Sequence, residues 1–137
     1  MNYVLDASAA FEIAFNRPGA DFYKKHIADA DRVMAPHFFI NEVTNVLYKY
    51  VRGGYLDEQN AQLTLSFILQ MVDEYIDSTE NVVESLHEAI HLNHPAYDMF
   101  YLTLARRNAA VLLTEDEKLR VLCAAQGVAV ADSAAGL

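Results

Sequence analysis

The sequence predicts an α/β fold, a small sandwich of helices on a mostly parallel sheet with more helix than strand. Three observations predict it. Short apolar runs, such as Tyr3-Val4-Leu5 and Ala109 to Leu113, read as buried strands. Stretches with apolar residues at helical spacing separate these runs. The stretch from Pro95 to Leu119 then reads as helix, strand and new helix start in succession, the unit that builds parallel sheets.

In chain order, Asn2 to Asp6 reads as the first strand and Ser8 to Phe15 as a helix stopped by Asn16-Arg17-Pro18-Gly19. A short helix is expected over Ala20 to Ala28 and a strand over Arg32 to Ala35. Pro36 fits the first turn of a long helix ending near Arg52. Its apolar residues Phe39, Val43, Val46, Leu47 and Tyr50 recur at helical spacing. Gly53-Gly54 breaks it, and a partner helix from Asp57 to Val72 completes an antiparallel hairpin. Tyr75-Ile76-Asp77 reads as a strand, and Thr79 is the expected cap of a helix reaching Leu92. A helix from Pro95 to Asn108, the Ala109–Leu113 strand, a helix from Glu117 to Gln126 and a strand from Val128 to Ala131 follow.

The 137 residues are 53% hydrophobic, spread from end to end, which fits one globular domain over residues 1–137 rather than a disordered chain. No uncharged apolar run is long enough to span a membrane. The start lacks the basic and apolar regions of a signal peptide. The single Cys123 excludes an intramolecular disulfide and reads as a small core hydrophobe beside Val121 and Leu122. These features predict a cytoplasmic protein. The net charge of −9 argues against a broad affinity for nucleic acid or anionic membranes, though not against a local basic strip.

Four carboxylates stand where this layout brings chain segments together. Asp6 ends the first strand, Glu42 lies early in the long helix, Asp98 opens another helix, and Asp116 follows the Ala109–Leu113 strand. The carboxyl ends of strands in an open α/β sheet share a crevice. Each acid has a local explanation. Asp6 fits a helix N-cap, Asp98 complements a helix dipole, and Glu42 fits a solvated helix face. Thr114-Glu115-Asp116-Glu117 fits a capping box with Thr114 as the cap. Together they pose an electrostatic problem. Two carboxylates ~4 Å apart repel by about 4 kcal/mol at an effective dielectric of roughly 20. Hard divalent cations relieve this, and an all-oxygen set suits Mg²⁺ or Mn²⁺ over zinc or copper. Ser8, Asn45 and Thr114 are placed to support the carboxylates or a phosphate by hydrogen bonds.

These residues resemble the motifs of PIN-domain nucleases, in particular the small VapC-like toxins of prokaryotic toxin–antitoxin pairs. Val4-Leu5-Asp6-Ala7-Ser8 resembles the family's opening strand, and Pro36 to Glu42 with Asn45 its second motif. Tyr97-Asp98-Met99-Phe100-Tyr101-Leu102-Thr103-Leu104-Ala105 is similar to the third motif, with Met99 and Thr103 where smaller residues are commoner. Leu112-Leu113-Thr114-Glu115-Asp116 is similar to the fourth. The resemblance implies a three-layer α/β/α sandwich and a Mg²⁺- or Mn²⁺-dependent endoribonuclease, usually a homodimer. It implies Asp6, Glu42, Asp98 and Asp116 as metal-binding and catalytic acids, with Ser8, Asn45 and Thr114 supporting them. RNA is the implied substrate, and a further hypothesis is that a small antitoxin wraps the hairpin from Pro36 to Val72, whose apolar residues exceed what one core needs. Lys24, Lys25, Lys49, Arg52, Arg106, Arg107, Lys118 and Arg120 are the candidate phosphate contacts. Two rivals stand beside this reading: the same site cutting DNA, and a catalytically silent PIN-like binding module. His87 and His91 have a zinc-like spacing on a predicted helix but lack a third ligand, so they read as solvated. Tyr97 and Tyr101, four residues apart, read as a packing pair.

Overall fold

The computed structural model describes residues 1–132. Four parallel strands lie in the order β3-β2-β1-β4. The central strand β1 (Asn2–Leu5) pairs with β2 (Arg32–Pro36) through Asn2↔Arg32, Tyr3↔Val33 and Val4↔Met34. On its other side it pairs with β4 (Val111–Leu113) through Tyr3↔Val111, Val4↔Leu112 and Leu5↔Leu113. β3 (Glu74–Ile76) extends the sheet beyond β2.

The two-residue strand period divides the core into two layers. Tyr3, Leu5, Val33, Ala35 and Leu113 pack with α1 (Ala7–Ala14), α2 (Ala20–Ala28), α3 (Phe39–Arg52) and α4 (Glu58–Leu69). Val4, Met34 and Leu112 pack on the opposite face with α6 (Ala96–Arg107) and α7 (Glu117–Ala125). α5 (Val82–Leu92) lies against α6. The result is the predicted three-layer α/β/α sandwich. Met99, Leu102, Leu104 and Ala105 are buried on α6. Full burial of a large apolar side chain is worth roughly 1.5–3 kcal/mol, so the helix that carries Asp98 is firmly seated. Among the described residues no helix is long and apolar enough to cross a membrane.

Several boundaries differ from expectation for local reasons. Pro36 ends β2 instead of opening the long helix, which begins at Phe39. It pairs with Ile76 and lies past the last β1 partner, Met34, where a missing N–H spares the ladder. Asp77 does not continue β3; it caps a short 3₁₀ turn, Ser78–Glu80, and accepts hydrogen bonds from Thr79. Thr79 therefore caps nothing, and α5 starts after Asn81. The expected strand from Val128 to Ala131 is a single parallel bridge, Leu112↔Val130. Gly54 takes the left-handed backbone, φ 80°, that turns α3 toward α4.

Ala109 and Ala110 are not strand. Ala109 has φ 48°, and Ala110 N–H bonds back to the Ala105 carbonyl, which reverses the chain after α6. An alanine in the left-handed region costs about 1–2 kcal/mol relative to a right-handed residue, and glycine avoids that cost. Ala109 is exposed, so nothing else is lost. Ala109→Gly is expected to raise the thermal midpoint by about 2–4 °C, read by differential scanning calorimetry; a lowered midpoint would refute it.

Candidate active site

The carboxyl ends of β1 and β4 lie side by side, and the site is built outward from them. Asp6 directly follows β1 and its backbone N–H bonds to the Leu113 carbonyl. Its side chain is buried. Oδ1 accepts from Ser8 Oγ at 2.6 Å and from the Ala9 N–H at 3.1 Å, so Asp6 is the N-cap of α1. Oδ2 accepts from the buried Thr114 hydroxyl. Burial pushes the Asp6 carboxyl up from 3.8 to about 6, against the lowering effect of the Ser8, Thr114 and Ala9 hydrogen bonds; the Glu42 charge adds to the rise. At neutral pH the carboxylate is therefore ionised at a cost, which a nearby positive charge would relieve.

Glu42 projects from the first turn of α3. Burial and the charge of Asp98 raise its pKa, while a hydrogen bond from the Tyr101 hydroxyl, 2.7 Å from Oε1, opposes them. Tyr101 comes from α6, one turn after Asp98, and burial among these acids holds its hydroxyl protonated. Asp98 lies in the first turn of α6, where Oδ2 accepts from His94 Nε2 at 2.6 Å. Asp6, Glu42 and Asp98, from three elements, thus feel one another across the end of the sheet. Cys123 lies beneath them; burial and the charges of Asp98 and Asp6 push its thiol up to about 12, so it is inert as a nucleophile.

Asp116 is joined differently. It is the N-cap of α7, accepting from Leu119 N–H at 3.2 Å, a role expected of Thr114. The Thr114 hydroxyl instead bridges. It donates to Asp6 and accepts from the Asp116 N–H at 3.0 Å. Helix α7 begins two residues later than a Thr114 cap requires, which frees that hydroxyl for the site. Asn45 is exposed on α3, and among the described residues no hydrogen bond ties it to the acids. Three contributors escaped the sequence reading: Tyr101, His94 and Tyr23. Tyr23 donates to the Thr114 carbonyl at 2.9 Å and to Glu115 at 2.5 Å, fastening the strand end that carries Thr114. Their partners lie in other elements, except for His94, whose i,i+4 spacing to Asp98 was a readable signal.

The larger residues at Met99 and Thr103 have a structural account. Met99 fills the core, and the Thr103 hydroxyl lies 2.9 Å from Asn81 Nδ2 and 2.8 Å from Ser85 Oγ. That buried network locks α5 onto α6. Tyr97 and Tyr101 both meet the Phe38 ring edge-on, but Tyr97 is 70% exposed and only Tyr101 belongs to the core.

The donor set decides whether these residues fit a metal. Among the described residues, no three His, Cys, Asp or Glu side chains are already gathered closely enough to enclose an ion. Asp6, Glu42 and Asp98 are electrostatic neighbours, offer oxygen only and repel one another. That suits a hydrated hard cation; magnesium keeps several waters and takes one or two carboxylates directly. Tyr101→Phe tests the supporting arrangement. It strips Glu42 of the bond that favours its ionised form, so activity is expected to fall about 10-fold. The acid limb of the pH–rate profile should move to higher pH; an unmoved limb would refute the role.

Comparison with known proteins follows the same lines. The PIN domain family model matches residues 3–125, a span that contains all four acids. Among solved structures, PAE2754 from Pyrobaculum aerophilum is 28% identical, with a TM-score of 0.71 over 88% of this chain and 86% of that one. VapBC2 from Rickettsia felis, solved bound to a DNA fragment from their promoter, is 14% identical with a TM-score of 0.68, covering 96% of this chain and 98% of that one. VapBC-1 from nontypeable Haemophilus influenzae is 15% identical with a TM-score of 0.69 over the same shares, 96% and 98%. These last two resemblances are of fold. Among curated proteins none matches this chain. The family match over nearly the whole chain, on a parallel sheet with the expected α/β/α layering, places the protein in the PIN domain family.

Proposed function

We propose that this protein is a divalent-metal-dependent endoribonuclease and the toxin of a toxin–antitoxin pair. The observation that carries the reading is the buried Asp6 at the end of the central strand, electrostatically joined to Glu42 and Asp98 in a PIN domain. Asp6, Glu42, Asp98 and Asp116 would hold one or two Mg²⁺ or Mn²⁺ ions. Such an ion, when bound, polarises the scissile phosphate and activates water for in-line attack.

The chain's own residues prepare that chemistry. Ser8, Thr114 and the Ala9 N–H fix both oxygens of Asp6. Tyr101 aims Glu42, and His94 aims Asp98. Rigid carboxylates hold a ligand geometry without reorganisation as charge develops on the phosphate.

An antitoxin has an apolar landing place. Leu47, Val51, Ala61 and Leu65, with Tyr48 exposed beside them, line a cavity of about 250 Å³ between α3 and α4. Homodimerisation belongs to the same proposal. The decisive experiment incubates the purified protein with a labelled single-stranded RNA in Mg²⁺, Mn²⁺ or EDTA, with and without DNA competitor. Internal cleavage that needs the metal and ignores DNA is expected. Cleavage that persists in EDTA, or that Asp6→Asn leaves intact, sinks the assignment; cleavage of DNA alone transfers it to a deoxyribonuclease.

A further inference from the structure

Of the eight cations that the sequence offers for phosphate contact, the four arginines are engaged by other side chains. Arg106 pairs with Glu88 at 3.2 Å and Arg107 with Glu84 at 3.5 Å, along the α5–α6 seam. Arg120 lies among Glu115, Glu117 and Asp132 at 3.5, 3.0 and 3.9 Å and donates to the Thr114 carbonyl. Arg52 reaches Tyr48, Lys24 lines an apolar cavity with Ile13 and Phe67, and Lys49 lies beside Tyr50 and Tyr55. None of the four lysines Lys24, Lys25, Lys49 and Lys118 has an acidic partner among the described residues, but Lys118 lines a cavity of about 410 Å³ that it shares with His94, together with Asn93, Glu117, Val121 and Leu122.

This cavity adjoins the acids through a shared wall. His94 lines it and at the same time bonds Asp98 through Nε2. The wall is held in place from both sides: Asn93 ends α5 in the left-handed conformation at φ 50°, His94 N–H bonds to the Ala89 carbonyl, and Pro95 precedes α6. Glu117, the one acid in the lining, is paired with Arg120, which leaves the Lys118 charge uncancelled. Val121 is exposed on the same helix face and contributes apolar surface with Leu122. In a chain of net charge −9, a free ammonium, an amide and an apolar wall meet beside the acids.

We infer that the cavity between the α5–α6 connection and α7 is a nucleotide subsite, receiving the residue of an RNA strand next to the scissile phosphate. Lys118 contacts the flanking phosphate, Val121 and Leu122 support the base, and the Asn93 amide meets its edge. The subsite rests on the nuclease reading above and names where the strand runs.

The test measures cleavage of a short single-stranded RNA by the parent, Lys118→Ala, Lys118→Arg and Val121→Asp over a range of salt. Lys118→Ala is expected to raise KM about 5-fold with kcat unchanged, and to flatten the dependence of log KM on log salt by about 0.7, the share of one phosphate in single strands. Lys118→Arg restores both values, and Val121→Asp raises KM. A parental KM and salt slope for Lys118→Ala, or a loss confined to kcat, overturns the subsite while the nuclease reading stands. A parent that fails to cut RNA overturns both.

Discussion

Asp6→Asn is expected to have opposite effects on activity and stability. Cleavage falls about 100-fold or more, because a neutral amide cannot anchor the cation that balances charge in the transition state. The metal-free protein meanwhile becomes more stable at pH 7, by about 2 kcal/mol. The fold holds the Asp6 carboxyl near 6, so at neutral pH it forces a charge into a buried position. Asparagine removes that charge and keeps an oxygen for Ser8 and the Ala9 N–H. Urea unfolding in EDTA reads the stability and RNA cleavage reads the activity. A destabilised variant would show that the Asp6 charge is already compensated without metal.

The second large effect is a pH dependence with an unusual sign for an aspartate. The folded pKa of Asp6, about 6, lies above its unfolded value of 3.8. The stability that this group contributes is therefore fully present below pH ~4 and is lost as pH rises through about 6. The loss amounts to about 3 kcal/mol. Glu42 shifts upward as well and adds in the same direction. Asp31 and Asp77 shift downward, but both are solvent-exposed and weigh little. Subtracting the Asp6→Asn curve from the parent curve isolates the group. Adding Mn²⁺ at about 100 times its Kd should then return about 2.7 kcal/mol to the parent at pH 7.5, and little at pH 4.5, where protons compete for the acids. A parent whose stability in EDTA does not decline relative to Asp6→Asn between pH 4.5 and 7.5 would contradict the burial argument.

The fold was legible because the pattern repeats. Apolar runs at β1, β2 and β4 are buried on both faces, and helical spacing between them left few alternatives to a parallel sheet. The boundaries were less legible. Ala109 belongs to an apolar run, so its left-handed turn is invisible until the carbonyl of Ala105 finds its partner. Pro36 satisfies the rule for a helix start, and only its pairing with Ile76 shows that the strand claims it. The acids were legible as residue types at recurring junctions. Their roles were not separable in the way the local readings assumed, since Asp6 is at once a helix cap and the most buried acid of the site. Tyr101 looked like core packing, and it is; its hydroxyl reaches Glu42 across 59 residues of chain, which no local pattern encodes.

The strand order has a consequence for how the protein comes into being. One neighbour of the central strand, β4, is far from it in sequence, and the Thr114–Asp6 bond closes across 108 residues. Contacts of such long sequence separation form late and slowly. The hairpin of α3 and α4 rests on contacts near in sequence, yet Asp6 meets Thr114 only once β4 has docked on β1. The acid at the centre of the proposed site is thereby held by a late tertiary contact, and losing the docking of β4 would dismantle the site while the hairpin still stood.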